Sequence, residues 1–466
     1  MTIPASTGAA GLVILHLGLG SFHRAHQAVY LHHLIQSGDT TWSLAGGNLR
    51  PDMAETIAAL QAQGGTYTVE TVTPSGERAY ERITSIRRII PYEPQLTGLI
   101  DVGAAPTTRI ISFTVTEAGY FLDPQLRLDT AHPDVAADLQ GGYNTIYGAI
   151  TAMLRARRAA DAGAVTLLCC DNVRGNGERF HAGLAGFLTA LGDPQLLAWV
   201  DAHTCSPNAM VDRITPRPSP AVRARVLAAT GVDDPCALMG ETFAQWVVED
   251  HFANGRPRWE TVGVEMVDSV LPYEEAKIRI LNASHSCIAW AGALRGYTYI
   301  HEATLDPQIR TWAHAYVSED VIPCLSPSPV DLPAYRDTVL ERFSNPWIQD
   351  TLARVAADGF AKIPSFIAPT LHEQHAAGRP LFHTARLPAL FLLFLQARAA
   401  GRIPFTYQDQ AMSEPVAADI LGAADPVARL AAELSLFGPL AGTPALTAAL
   451  RAAYDHTRSA LAEVQS

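Results

Sequence analysis

LVILHLGLGSFH, Leu12 to His23, is an apolar run that closes on Gly18-Leu19-Gly20 and leads into residues where Ala25, Val29, Leu31 and Ile35 recur among polar ones. A run of this kind reads as a parallel strand buried on both faces, and the spacing after it reads as a helix over His23 to Leu34. Strand, glycine turn and helix together open a dinucleotide-binding fold. The glycines let the backbone approach a pyrophosphate, and the helix N-terminus presents oriented N–H groups. The third glycine of the G-x-G-x-x-G fingerprint is missing, because His23 stands in its place. On this motif alone an ordinary strand-turn-helix junction stays open.

Four further runs have strand character: Trp42 to Ala45, Thr66 to Val72, Arg109 to Thr116 (RIISFTVT) and Val165 to Cys170 (VTLLCC). Two of them end in polar pairs, Thr116-Glu117 and Asp171-Asn172, where ligands bind outside the carboxyl ends of strands in an open α/β sheet. Gly18, Gly20, Thr116 and Glu117 are therefore candidate cofactor residues. After the second strand the chain reads Gly47-Asn48-Leu49-Arg50-Pro51-Asp52, with no acid at the strand end itself. Asp52 is the candidate for holding the ribose hydroxyls of NAD, whereas Arg50 suits a 2′-phosphate. NAD is the expected cofactor.

With 466 residues the chain exceeds the roughly 250–300 at which one hydrophobic core stops growing, so two domains are expected. The formal net charge of −12 argues against a nucleic-acid or anionic-membrane surface, which needs a basic face. Small neutral molecules fit better. The N-terminal residues lack the positive flank of a secretory signal, and the greasiest run, Leu387 to Leu395, contains Pro388 and is far shorter than the ~20 residues a bilayer requires. A cytoplasmic protein is expected. The six cysteines show no C-x-x-C pair and no zinc-ligand spacing, so buried thiols are expected and no metal.

From Lys277 onward alanine and leucine dominate and no comparable strand series appears, which predicts a mainly helical second domain. The expected division is 1–270, a dinucleotide-binding Rossmann-type domain with insertions, and 271–466, a mostly helical substrate-binding domain. Ser326 to Pro333 (SPSPVDLP) reads as a surface loop in the second. Its opening segment, KIRILNASHS (Lys277 to Ser286), sets a lysine, an asparagine and a histidine among apolar and small residues. On a helix of 100° per residue, Lys277, Asn282 and His285 fall at about 0°, 140° and 80°, one broad sector. Apolar Ile278, Ile280 and Leu281 would strip water from the lysine and lower its pKa, so that it accepts a proton near neutrality. Alcohol oxidation needs this: a hydroxyl proton must leave as hydride moves to nicotinamide, while amide or imidazole groups hold the developing alkoxide. The plain alternative is a lysine snorkelling from an amphipathic helix beside a satisfied core histidine.

HLGLGSFHRAHQ (His16 to Gln27), LLCCDNVRGNGERF (Leu167 to Phe180), MVDRITPRP (Met210 to Pro218) and KIRILNASH together resemble the mannitol dehydrogenase family of polyol-specific long-chain dehydrogenases. The motifs span essentially the whole chain. The resemblance implies a Rossmann-type N-terminal domain, a mostly α-helical C-terminal domain, an active site in the cleft between them, and metal-independent hydride transfer from a sugar alcohol to NAD. It implies Lys277 as general base, with Asn282, His285 and Asn172 around the reacting oxygen. Asp212, Arg354 and Lys362 would contact substrate hydroxyls, and Gly18, Gly20 and Phe22 would lie around the phosphates. Ion pairing and surface solvation are the alternatives for Asp212, Arg354 and Lys362, and a turn role for Asn172. Glu274, three residues before the lysine, would relay its proton or neutralise it. Within the family, TVTEAGYFL (Thr114 to Leu122), ITPRP and MGETFAQWVVED (Met239 to Asp250) point to oxidation of D-arabinitol to D-xylulose, with mannitol or another hexitol as the runner-up. A sugar phosphate or uronate as substrate and a non-catalytic dinucleotide-binding protein are the rival classes. Oligomeric state is left open, a monomer being compatible.

Overall fold

The computed structural model describes residues 11–123 and 125–462, except for the side chains of Glu117 and Ala118. These residues form two compact units, one running to Val72 and continuing over Glu77–Leu271, the other made of Thr73–Gly76 and the chain from Pro272 onward.

Among the described residues the strands all lie in the first unit: β1 (Leu12–Leu17), β2 (Trp42–Gly47), β3 (Tyr67–Val72), β4 (Arg78–Ile83), β5 (Ile86–Ile90), β6 (Thr108–Phe113), β7 (Val165–Cys169), β8 (Thr204–Cys205), β9 (Ala209–Asp212), β10 (Leu238–Glu241), β11 (Gln245–Glu249) and β12 (Glu265–Val267). Six of them form one parallel sheet in the order β5-β2-β1-β6-β7-β8. Its strands are apolar on both faces because both faces are covered. Ile14, Leu44, Ile110 and Leu168 point into one core, while Leu15, Ala45, Ile111 and Leu167 point into the other. This period of two is why these strands read as continuous apolar runs and not as alternating ones. β1 is followed outward on one side by β2 and on the other by β6, so the strand order reverses between β1 and β6. That switch point is where an open α/β sheet leaves a crevice at its carboxyl edge.

The run Thr66 to Val72 is a strand as expected, but it lies outside the main sheet. As β3 it pairs with β10 and β4 in a three-stranded sheet, and β12-β11-β9 form another. The expected helix over His23 to Leu34 is two helices, α1 (Ser21–Ala25) and α2 (Gln27–Gln36), broken at His26 with φ −126° and ψ −90°. The His26 ring accounts for the break: its Nε2 meets the Gln245 carbonyl at 2.9 Å and its edge packs on Trp246.

In the second unit every regular element among the described residues is helical. The greasy run Leu387 to Leu395 is the centre of the helix Phe382–Ala399, which passes through Pro388 and packs against Ala283–Arg295 and the helix Pro444–Ala462. Its apolar side chains serve as core, as a run too short to span a bilayer should. Among the described residues no helix is long and apolar enough to cross a membrane. Ser326 to Asp331 form the connection between helices Ile322–Leu325 and Leu332–Phe343. Cys169, Cys170, Cys205, Cys236 and Cys287 are buried and Cys324 is half-buried, all as free thiols.

Candidate active site

In the first unit most of the candidate residues sit at or just beyond the carboxyl ends of strands. Gly18 follows β1 with φ +110°, and a Cβ there would stand 2.7 Å from the Thr114 carbonyl oxygen. Only glycine adopts that backbone without strain, and only glycine leaves room for the loop after β6 to close on it. The turn is tied down on its other side, since the Gly18 N–H donates to the Gly47 carbonyl at 2.9 Å and the Leu19 N–H to Asn48 Oδ1 at 2.8 Å. Gly20 N-caps α1, and a Cβ there would meet no protein atom within 4 Å. A glycine turn at the switch point with an open side at Gly20 fits the pyrophosphate of a dinucleotide. Phe22 is half-buried and stacks on His26 at 5.0 Å.

The missing third glycine has a structural answer. His23 stacks on His16 with ring centroids 3.4 Å apart and planes within 11°, so two rings fill the space a glycine would leave. His16 lies between Ser112 Oγ at 2.8 Å and the Gly18 carbonyl at 3.1 Å, and so fastens the turn from beneath. Burial pushes its imidazole down to about 3, and the ring is neutral throughout the physiological range.

Asp52 lies exposed in a short helical turn, Pro51–Met53. Arg50 is paired with Asp134 at 3.3 Å and donates to the Asn144 carbonyl at 3.2 Å. Thr116 is exposed on the loop after β6, and the side chain of Glu117 lies outside the described residues. Asn172 is exposed in the bend after β7, and Asp212 is the buried last residue of β9.

The second unit presents its candidates differently. Lys277, Asn282 and His285 lie on one continuous helical stretch, but Lys277–Asn282 is a π-helix between the α-helices Leu271–Ala276 and Ala283–Arg295. The angles expected from an uninterrupted α-helix therefore need correction. At about 80° per residue over the π turn, Asn282 moves to about 40° and His285 to about −20° from Lys277, so all three share a sector of about 60°. A spacing of five is one π-helical hydrogen-bond step, which places Asn282 one turn on from Lys277 and on the same side of the helix. Lys277 is 6% exposed, and the following Ile278 and Ile280 are 9% and 0% exposed. Glu274 is buried one turn before it. Arg279 anchors the π turn through Glu275 at 2.7 Å and a two-pronged pair with Glu373, while the Tyr316 hydroxyl donates to the Arg279 carbonyl at 3.0 Å.

His285 stacks on Phe343 at 4.2 Å, and its Nε2 lies 3.5 Å from Asp350 Oδ2, close enough for the charge to act but without a hydrogen bond. Burial pushes this imidazole down to about 3; Asp350 opposes the shift, and the charges of Arg354, Lys362 and Arg342 add to it. Arg354 binds Asp350 with both prongs of its guanidinium. Burial works to raise the Asp350 carboxyl, yet Arg354 and His285 hold it below its ordinary value. Lys362 donates to the Val355 carbonyl at 2.6 Å, and burial lowers its ammonium to about 8 against the pull of Asp358. The second unit thus gathers His285, Arg354 and Lys362 about Asp350. Sequence reading did not find Asp350, which stands in PWIQD with no motif around it.

A Rossmann sheet with a glycine turn at its switch point, and a buried lysine registered on an asparagine and a histidine, together describe an alcohol-oxidising class of dinucleotide enzyme. Residues 12–261 match the mannitol dehydrogenase Rossmann domain and residues 269–458 the mannitol dehydrogenase C-terminal domain. The chain belongs to the mannitol dehydrogenase family. A D-arabinitol 4-dehydrogenase of Ralstonia nicotianae is 58% identical over 443 residues, covering 94% of this chain and 95% of the relative. One of Klebsiella pneumoniae is 55% identical, covering 94% and 96%. Among solved structures, the Pseudomonas fluorescens mannitol 2-dehydrogenase ternary complex with NAD and D-mannitol is 36% identical, with a TM-score of 0.84 over 98% of this chain and 94% of that one.

Proposed function

We propose that this protein is an NAD-dependent polyol dehydrogenase that oxidises D-arabinitol to D-xylulose. The observation that carries the reading is the 58% identity, across 94% of the chain, to a D-arabinitol 4-dehydrogenase. The NAD complex of the P. fluorescens relative supports NAD as the cofactor. The dinucleotide site is assigned to the first unit. We assign the enzyme to the cytoplasm, where its six free thiols remain reduced.

Gly18, Gly20 and Phe22 would hold NAD, which would supply the acceptor for the hydride leaving the carbinol carbon. Lys277, 6% exposed beside Ile278, Ile280 and Leu281, takes the hydroxyl proton as its amine. Asn282, one π step above it, donates an amide N–H to the oxygen as negative charge develops there, and Asn172 is assigned the second amide. His285, neutral by burial, offers a hydrogen bond without adding charge. Arg354 and Lys362 donate to the remaining hydroxyls, and Asp212 accepts from one. The proton then leaves Lys277 through Glu274 toward water.

Mannitol is the second reading, favoured by the likeness to the P. fluorescens enzyme. NADH formation measured on a panel of D-arabinitol, D-mannitol, D-sorbitol and a phosphorylated polyol, with NAD and NADP, decides between them. Fastest turnover of D-arabinitol with NAD is expected. Preference for a hexitol would move the assignment to mannitol, and turnover confined to the phosphorylated compound would overturn it.

A further inference from the structure

Thr116 has φ 68° and ψ 160°, a region of backbone space that is essentially reserved for glycine. A threonine stays there only where its surroundings hold it, and the holder is Asp171. This carboxylate is 6% exposed at the end of β7. Its Oδ1 accepts the Val115 N–H at 3.0 Å and the Thr116 N–H at 2.9 Å, while its Oδ2 accepts the Val115 N–H at 2.9 Å and the Tyr120 hydroxyl at 2.6 Å. The Tyr120 carbonyl is in turn held by the Tyr147 hydroxyl at 2.8 Å. Two N–H groups and one O–H converge on a single buried carboxylate. Asparagine could not replace it, because one of its two terminal atoms is a donor and would face donors.

The clamped segment is placed to matter. Its first residue, Thr114, hydrogen-bonds through its N–H to the Leu17 carbonyl at 3.1 Å and through its hydroxyl to the Gly18 carbonyl at 3.3 Å. Thr114 to Thr116 therefore lies across the switch point, with the glycine turn against one end and Asp171 against the other. Asp171 also directly precedes Asn172 in the chain.

We propose that Asp171 is a positioning residue for the dinucleotide: it clamps Val115 and Thr116 in a glycine-like conformation that shapes the crevice at the β1/β6 switch point. The proposal rests on the functional reading above, since it presumes that the crevice takes NAD. It assigns Asp171 no contact with the cofactor. The clamp acts through the backbone, and this sets up a test that a merely stabilising carboxylate would fail. If Asp171 works by holding Thr116 in a strained region, its importance must fall when the strain is removed by glycine.

The experiment is a double-substitution cycle on the full-length chain, read by NADH fluorescence titration and by melting temperature. Asp171→Asn is expected to weaken NADH binding about tenfold in the otherwise unchanged protein, and by less than about threefold when introduced into Thr116→Gly. Equal weakening in both backgrounds would overturn the clamp, and so would unchanged binding in Asp171→Asn. Should Asp171→Asn not fold, Tyr120→Phe removes one donor from the same carboxylate. It is expected to weaken NADH binding a few-fold with Thr116 present and not in Thr116→Gly; equal effects would again overturn the proposal. Wild-type protein that fails to bind NADH would overturn the functional reading and this inference together, whereas tight wild-type binding with no coupling overturns the inference alone.

Discussion

In the first unit the residues assigned to the cofactor stand on loops after strands, and what qualifies them is backbone shape: Gly18 with φ +110°, Gly20 with its open side, Thr116 with φ 68°. In the second unit the residues assigned to the chemistry stand on helices, and what qualifies them is side-chain register and burial. Lys277 and Asn282 are one π step apart, and His285 follows within the same sector. The contrast separates the consequences of substitution. Changes to backbone freedom in the first unit should strike cofactor affinity, and changes to side chains in the second should strike turnover or polyol affinity while cofactor affinity stands.

The largest effect expected is that of Lys277→Ala. Loss of a general base lowers turnover by roughly 10²–10⁴-fold, and NADH affinity should stay within about twofold of wild type. Steady-state rates beside an NADH titration check both halves; a parallel fall in affinity would break the contrast. Gly18→Ala is the mirror experiment. Its Cβ would lie 2.7 Å from the Thr114 oxygen, in a backbone region that disfavours any side chain. Strain of about 1–3 kcal/mol predicts NADH affinity lower by about 5- to 150-fold, with polyol KM at saturating NAD much less affected. Smaller still is Asp350→Asn, which removes the charge set between His285 and Arg354. Polyol KM should rise about tenfold with NADH binding unchanged, and Arg354→Ala added to it should have less than its separate effect. Full additivity would mean that Asp350 does not hold Arg354 for the substrate.

The same contrast decides what could be read in the sequence. β1, β2, β6 and β7 were legible because strands buried on both faces leave continuous apolar runs. β4 (RAYERI) and β5 (IRRII) were not, since arginines and a glutamate punctuate them, and strands as short as β8 and β12 carry too few residues to show a period. Nor could periodicity say that β3 belongs to a second sheet, because pairing partners lie far away in the chain. The family motifs brought Lys277, Asn282 and His285 to notice, but α-helical angles spread them too widely. The single extra residue of a π turn leaves no mark on composition and shows only in the register of hydrogen bonds. Asp350 and Asp171 went unassigned for a different reason. Asp350 acts on His285, 65 residues earlier, and Asp171 on Thr116, 55 residues earlier, so their roles exist only after folding.

The smallest effect expected is a pH dependence at Lys362, and its sign is informative. Burial lowers this ammonium to about 8 from an ordinary value of 10.5. Above about pH 8 the side chain becomes an amine and loses a charged donor, so polyol KM should rise a few-fold between pH 7.5 and 9, on the order of one charge-assisted hydrogen bond. Stability runs the other way. Because the folded pKa lies below the unfolded one, the burden of a buried charge is complete below about pH 8 and is relieved as pH climbs toward 10.5, so this group stabilises the fold over the range in which it releases substrate. A rise in KM accompanied by a steady or rising melting temperature assigns the effect to the polyol site. Lys362→Arg, which cannot lose its proton in this range, should flatten the KM profile; a profile that keeps its rise in that variant would move the titrating group elsewhere.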